Sequence, residues 1–310
     1  MSREEHDLII IGGGPAGLTA GLYGVRAKLK TLLLEKLPLL GGQIVNAEKV
    51  ENYPGFPDGI SGPELIARME TQARKFGLVI KTGDVSGLRV EGDIKRVILE
   101  EGDYFSRVII VATGASPNRL GVEGEERLIG RGISFCGTCD GFFFKDMDVI
   151  VVGGGDTAME EALFLTRFVR KVTVVHRRDA LRATKILQER AFKNDKIEFI
   201  WDTVIEKIEG EKAVERVILK NVKTGEILAQ KTAGVLIFVG TKPNTRFLQG
   251  TVDLDEQGFI LTDNDLKSSN PGIFASGDAR KKLLRQVSTA VGEGATAAFA
   301  AEKYLERVYS

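Results

Sequence analysis

Cysteine is scarce in this chain: there are two in 310 residues, at positions 136 and 139. So few, so close together, exclude the disulfide framework of a small secreted domain. Histidine is equally scarce, and a zinc site built on the cysteine pair would need two more ligands when only His6 and His176 could offer imidazoles. Excess charge is also missing, with 43 Lys and Arg against 43 Asp and Glu. There is no basic surplus to hold nucleic acid or an anionic membrane. No run approaches the roughly 20 apolar residues of a membrane helix. The opening MSREEHDLII lacks the positive stretch and apolar core of a signal peptide. The expectation is a cytoplasmic protein of about two domains, without a nucleic-acid or membrane partner.

What the chain has is glycine: 36 residues, clustered after apolar runs. In DLIIIGGGPAG, Leu8 to Ile11 read as a buried parallel strand, followed by Gly12, Gly14 and Gly17 in G-x-G-x-x-G. A helix is expected from Pro15 to Arg26, then a second strand TLLLE ending at Glu35. This is the dinucleotide fingerprint in its proper context. The glycines let a pyrophosphate rest on the helix N-terminus, where free N–H groups and the helix dipole favour anions. The carboxylate of Glu35 can accept the ribose hydroxyl protons, which suits FAD.

DVIVVGGGDTAMEEALFL repeats the pattern with Gly153, Gly155 and Ala158, and the next strand is KVTVVH. Gly12 lies 23 positions before Glu35, and Gly153 lies 23 before His176. The place of the acid is thus taken by His176, Arg177 and Arg178, with Arg182 close behind. A carboxylate there would repel a 2′-phosphate and these residues would attract one, so the second site is expected to take NADPH. Two such sites imply electron transfer between two cofactors.

The 141-residue offset between the fingerprints is a weak internal repeat, and each half ends alike: SRVIIVATGASPN and AGVLIFVGTKPN both run strand, Gly, Pro-Asn. The fold class expected is α/β, with two Rossmann-like, three-layer dinucleotide-binding domains. Residues 1–116 and 245–310 form the FAD domain, and residues 117–244 form an NADPH domain inserted into it. In the last segment, GIFASGD reads as a short buried strand ending at Gly277 and Asp278, where a carboxylate could hold an FAD hydroxyl. RQVSTAVGEGATAAFAAEKYL reads as a helix of small residues starting near Gln286, its N-terminus placed to stabilise the reduced flavin ring.

The stretches GGGPAG, GGQI with VENYPGFP, VATGA, CGTCDG, GGGDTAMEEA, HRRD with Arg182, GTKPN and GDARKKLLRQVSTAVGEG extend over nearly the whole chain. Together they resemble the low-molecular-weight thioredoxin reductases of bacteria and archaea. The resemblance implies a homodimer, a redox disulfide on the NADPH domain, and thioredoxin or a thioredoxin-like protein as partner. Along FAD it places Gly12, Gly14, Pro15, Ala16, Gly17, Glu35, Gly41, Gly42, Gln43, Asn52, Val85, Ala112, Thr113, Gly114, Gly277, Asp278, Arg285, Gln286 and Val287. Along NADPH it places Gly153, Gly155, Asp156, Thr157, Ala158, His176, Arg177, Arg178 and Arg182. By the same likeness Cys139 faces the flavin, Cys136 attacks the partner's disulfide, and Asp140 manages protons. Two departures stand out: Val45, Asn46 and Ala47 where the family often has threonines, and extra positive charge in GDARKK. The same electron path to a glutaredoxin-like acceptor, or a flavin-binding redox sensor, remains open at this point.

Overall fold

The structure is a computed structural model that describes residues 5–47 and 49–309, apart from the side chains of Asn46 and Tyr309. The chain divides into two compact units: the part up to Ser116 together with the part from Lys242 onward, and Pro117–Thr241. The chain passes between the units at Ser116–Pro117 and again within the strand Thr241–Pro243. Among the described residues no helix is long and apolar enough to cross a membrane.

The first unit is built on a seven-stranded sheet. Glu5–Ile11 lies between Thr31–Glu35 and Tyr104–Val111, all parallel, with Ile9 opposite Leu32 on one side and Ile109 on the other. Val79–Thr82 continues the sheet beyond Thr31–Glu35. The strand Tyr104–Val111 divides its other edge. Its first half pairs antiparallel with Ile94–Leu99, and its second half takes Ile273–Ala275 in parallel, Ile109 opposite Ile273. The last part of the chain thereby completes the sheet that the first part begins.

The apolar runs LIII and LLL are continuous because both faces of this sheet are covered. Successive side chains point to opposite faces, so Leu8, Ile10, Leu33 and Ile110 pack under helices while Ile9, Leu32, Ile109 and Val111 feed a second core. Each such fully buried side chain contributes about 1.5–3 kcal/mol. Three helices, Pro15–Arg26, Gly62–Lys75 and Val287–Tyr309, supply the first core. The close crossing of the first and last depends on Gly294, where a Cβ would run into the carbonyl of Ala16.

The second unit repeats the plan. Its five-stranded parallel sheet runs Ile197–Ile200, Lys171–Val175, Asp148–Val152, Gly234–Ile237 and Ile133–Ser134. Asp148–Val152 has the place of Glu5–Ile11, with Lys171–Val175 on one side and Gly234–Ile237 on the other. A three-stranded antiparallel sheet of Thr203–Glu209, Arg216–Asn221 and Ile227–Lys231 packs over it through Ile205, Ile208, Val217 and Leu219. Helix Asp156–Leu165 covers the other face, with Ala158, Met159, Ala162 and Leu165 buried.

Each unit closes on the crossing strands in the same way. In the first, the N–H of Asn244 donates to the Gly114 carbonyl (3.0 Å) and its Nδ2 to Thr113 (2.9 Å). In the second, the N–H of Asn118 donates to Gly240 (2.9 Å) and its Nδ2 to Val239 (3.3 Å). Both glycines sit at positive φ, 67° and 103°, which explains why each Pro-Asn pair is matched by a glycine elsewhere in the repeat.

Candidate functional site

The first glycine loop joins Glu5–Ile11 to Pro15–Arg26. Gly12 has φ 110°, and a Cβ there would strike the backbone of Ala112 and Thr113. A Cβ on Gly17 would strike the Gly12 carbonyl, so the loop closes only without side chains at both. Gly14 is the N-cap of the helix, Pro15 opens its first turn, and Ala16 is buried behind. Glu35 faces the loop: its Oε2 accepts the Gly13 N–H at 2.6 Å and its Oε1 the Leu37 N–H at 3.2 Å. Gly41 and Gly42 follow at φ 114° and 60° and start a 3₁₀ turn that carries exposed Gln43. Asn52 donates to Oε1 of Gln286 at 2.9 Å, which joins two predicted flavin contacts far apart in sequence. Val85 is half-buried at the start of its strand, close in sequence to Gly83, whose N–H donates to the Glu35 carbonyl.

The remaining predicted FAD positions lie in the same unit. Asp278 is largely buried, and burial pushes its carboxyl above the usual range against the pull of Lys282 and Arg285. Lys282 lies 3.3 Å from both Asp278 and Glu293, while Arg280 pairs with Glu293 at 3.0 Å. Glu293 also accepts the Gly277 N–H at 2.8 Å. Two of the three cations of GDARKK, Arg280 and Lys282, are therefore paired with Glu293, an acid from the helix Val287–Tyr309 that the sequence reading did not single out. Arg285 stacks over Phe259 with its guanidinium carbon 4.4 Å from the ring centre. Thr113 Oγ1, Ser276 Oγ and Arg285 Nε are shielded and have no hydrogen-bond partner among the described residues. Space for a Cβ is open at Gly42 and Gly114. A polar group of FAD's size fits such a lining: it needs these donors and acceptors, and the glycines leave it room.

The second loop has the same form. Gly153 is at φ 146°, Gly155 is the N-cap of Asp156–Leu165, and Ala158 is buried beneath. Asp156 Oδ1 accepts the Thr184 N–H at 2.6 Å, and Thr157 is exposed beside it. The Gly154 carbonyl accepts the N–H groups of Arg182 (2.7 Å) and Ala183 (3.1 Å), which lays the basic turn over the loop. Arg177, Arg178 and Arg182 are exposed, and none of the described ion pairs includes them. His176 differs: it is 6% exposed, and its ring lies where a Gly154 Cβ would be. Burial first, then the charges of Arg182, Arg178 and Arg177, push its protonation down, opposed by a hydrogen bond to the Ala180 backbone. Its ring is thus biased toward the neutral form, while the exposed guanidiniums carry permanent charge. Three free guanidiniums beside a helix N-terminus fit a dinucleotide with an additional phosphate.

Between the first strand of this unit and Asp148–Val152 lies the cysteine turn. Cys136 and Cys139 form a disulfide with Cα atoms 5.3 Å apart. Cys136 is the N-cap of the short helix Gly137–Asp140, and its sulfur accepts the Cys139 N–H at 3.2 Å. Ser134 Oγ is 2.5 Å from Asp140 Oδ2 and accepts the Cys136 N–H at 3.0 Å, so one hydroxyl positions both acid and sulfur. Burial raises the Asp140 carboxyl above its ordinary range, more than the Ser134 hydrogen bond lowers it. That favours its protonated form more than in a free carboxyl and suits it to exchange protons with the sulfurs. Phe142 and Phe143, directly after the turn, are exposed.

The sequence matches the family described as Pyridine nucleotide-disulphide oxidoreductase over residues 6–294. The chain belongs to that family. It is an NADPH-dependent flavoprotein oxidoreductase, with FAD and NADPH as its cofactors. Along its whole length it is similar to thioredoxin reductases. That of Peptoclostridium litorale is 50% identical, over 99% of both chains. The solved thioredoxin reductase of Streptococcus pyogenes is 48% identical and superposes with a TM-score of 0.94, covering 99% of this chain and 100% of that one. The Lactococcus lactis enzyme, described as the FR conformation, is 46% identical with a TM-score of 0.68, over 98% and 100%.

Proposed function

We propose that the chain is a thioredoxin-disulfide reductase in which the first unit holds FAD and the second holds NADPH. One observation carries this reading. The Cys136–Cys139 pair, with the part-buried acid Asp140 tied to it through Ser134, belongs to the same unit as the basic nucleotide loop. Bound FAD supplies a two-electron relay between nicotinamide and sulfur. Around it, Gly14 and the first turn of Pro15–Arg26 receive the pyrophosphate, Glu35 the ribose, and Asp278 with Gln286 and Val287 the distal portions. Gly42, Gln43, Asn52, Val85 and the Ala112–Gly114 turn complete the lining. Arg177, Arg178 and Arg182 select the 2′-phosphate of NADPH.

Cys139 is the sulfur that faces the flavin, and Cys136 is the one that attacks the partner's disulfide. The exchange runs through a mixed disulfide. Asp140 donates a proton to the leaving sulfur and recovers it in the next half-cycle. Exposed Phe142 and Phe143 beside the pair suit a protein acceptor, thioredoxin or a thioredoxin-like protein, better than a small disulfide. Both the nucleotide loop and the cysteines lie in the inserted unit, so that unit turns to present them alternately, about Ala115–Arg119 and Gly240–Asn244. TM-scores of 0.94 and 0.68 at nearly equal identity support such a motion among the relatives. The working form is a cytoplasmic homodimer, as the resemblance implies.

The test uses the yellow holoprotein with NADPH, a thioredoxin and a chromogenic disulfide. Wild type releases thiol rapidly, and Cys136→Ser and Cys139→Ser release none. Turnover of either serine variant at the wild-type rate would contradict the assignment. Flavin bleaching without thiol release in the wild type would point to a different acceptor.

A further inference from the structure

Glu161 projects from the helix Asp156–Leu165 onto the cysteine turn. Its Oε1 accepts the Thr138 hydroxyl at 3.3 Å. Its Oε2 is shielded from solvent and has no hydrogen-bond partner among the described residues. That oxygen sits where a Cβ on Gly137 would be, so any larger residue after Cys136 would displace the carboxyl from this position. Leu165 closes the space from below. Burial pushes the carboxyl above its usual range, more than the Thr138 hydroxyl and the amides of Thr138 and Gly137 pull it down, and Glu160 adds to the rise.

We propose that Glu161 is a positioning residue of the redox turn. Lodged against Gly137 and tied to Thr138, it sets the charge at the amino end of Gly137–Asp140 and thereby the ionisation of the Cys136–Cys139 dithiol. The reasoning is electrostatic. N–H groups at the start of a turn stabilise a thiolate. A carboxylate beside the same groups competes for them and repels the thiolate, whereas a carboxyl does neither. The two titrations are coupled, and each raises the other equally.

Reduction breaks the S–S bond with the two electrons and one proton of a hydride equivalent from NADPH. One further proton comes from solvent. If Glu161 starts ionised, that proton rests on its carboxyl and one sulfur remains the nucleophilic thiolate. The charges on packed elements are Asp140 on the turn, Asp156 and Glu160 on the same helix, Lys185, Glu189 and Arg190 on Lys185–Phe192, and Asp148 and Lys171 on the strands beneath. Of these only Glu160 acts on Glu161. Asp148 and Lys171 are held by Arg170 and Glu198.

The inference rests on Cys136–Cys139 being the redox pair, and the test separates the two ideas. Thiols produced by NADPH alone test the electron path. Thiols produced by dithiothreitol, in desalted holoprotein, test Glu161 whatever the path. The readout is the rate of iodoacetamide alkylation from pH 5 to 9. In Glu161→Gln the rate at pH 6 should rise about three- to tenfold and merge with wild type near pH 9, a thiol shift of about half to one unit. Thr138→Val, which removes only the hydroxyl donor, keeps the acid neutral to higher pH and should move the profile the same way by less. Unchanged profiles in both variants, or a change uniform across pH, would overturn the proposal. If Glu161→Gln loses its flavin colour, Thr138→Val decides alone.

Discussion

Gly13 and Gly154 stand at the same place in two loops of one form, and opposite kinds of side chain lie against them. Beside Gly13 is the Glu35 carboxylate, which accepts its N–H at 2.6 Å. Beside Gly154 is the buried ring of His176, with exposed Arg177 and Arg178 directly after. Strand, glycine turn and helix are common to both and make each a place for pyrophosphate. What stands at the end of the second strand is not common, Glu35 in one repeat and His176 with exposed Arg177 and Arg178 in the other, and on the function proposed above that segment selects the ribose. The comparison teaches that scaffold and selectivity are written by different residues within the same repeat.

The largest effect should come from a methyl group in the first loop. Gly17→Ala pushes a Cβ into the Gly12 carbonyl, an overpacking against backbone that costs about 3 kcal/mol. The purified protein should be colourless with a lowered Tm. Gly155→Ala in the second loop meets open space at φ −94°. It should keep its flavin and Tm and lose only affinity for NADPH. Equal damage from both would erase the distinction between a loop closed by contact and one left open.

A smaller effect should follow Glu35→Gln, which keeps the shape but removes the charge that holds the Gly13 N–H. The loss of one charge-assisted hydrogen bond is about 1 kcal/mol, read as a lower Tm and faster FAD release. The smallest should be His176→Asn. Because burial shifts His176 toward its neutral form, its charge should add little to NADPH binding above neutral pH. The pH profile of KM for NADPH should keep its shape in the variant. A wild-type profile that weakens above pH 6.5 and flattens in His176→Asn would show an imidazolium at work.

Much of this was legible in the sequence, for a physical reason. Gly17 is constrained by the Gly12 carbonyl five residues before it, and Glu35 by the fixed length of one helix and one strand. The repeat of that length to His176 made the contrast visible before any coordinates. The C-terminal strand and helix were legible because small and apolar residues there are continuous. Contacts between distant segments were not. Nothing in the spacing indicates that Ser134 would hold Asp140, that Glu293 would neutralise Arg280 and Lys282, or that Glu161 would lodge under Gly137. Each is an ordinary polar residue whose role depends on which turn is packed against it. Even His176 looked like one of four basic residues, and only burial against Gly154 separates it from the three arginines.

The most direct measurement is the rate at which NADPH and NADH each bleach the flavin, in wild type and in the Arg177→Ala, Arg178→Ala, Arg182→Ala triple variant. These guanidiniums are exposed, so each charge-assisted contact to a phosphate is worth about 1 kcal/mol. Wild type should therefore prefer NADPH by about a hundredfold or more in kcat/KM, and the triple variant should fall close to parity with its NADH rate unchanged. Equal bleaching of the wild type by both nucleotides, or a preference that survives loss of the three arginines, would contradict the assignment of the second loop.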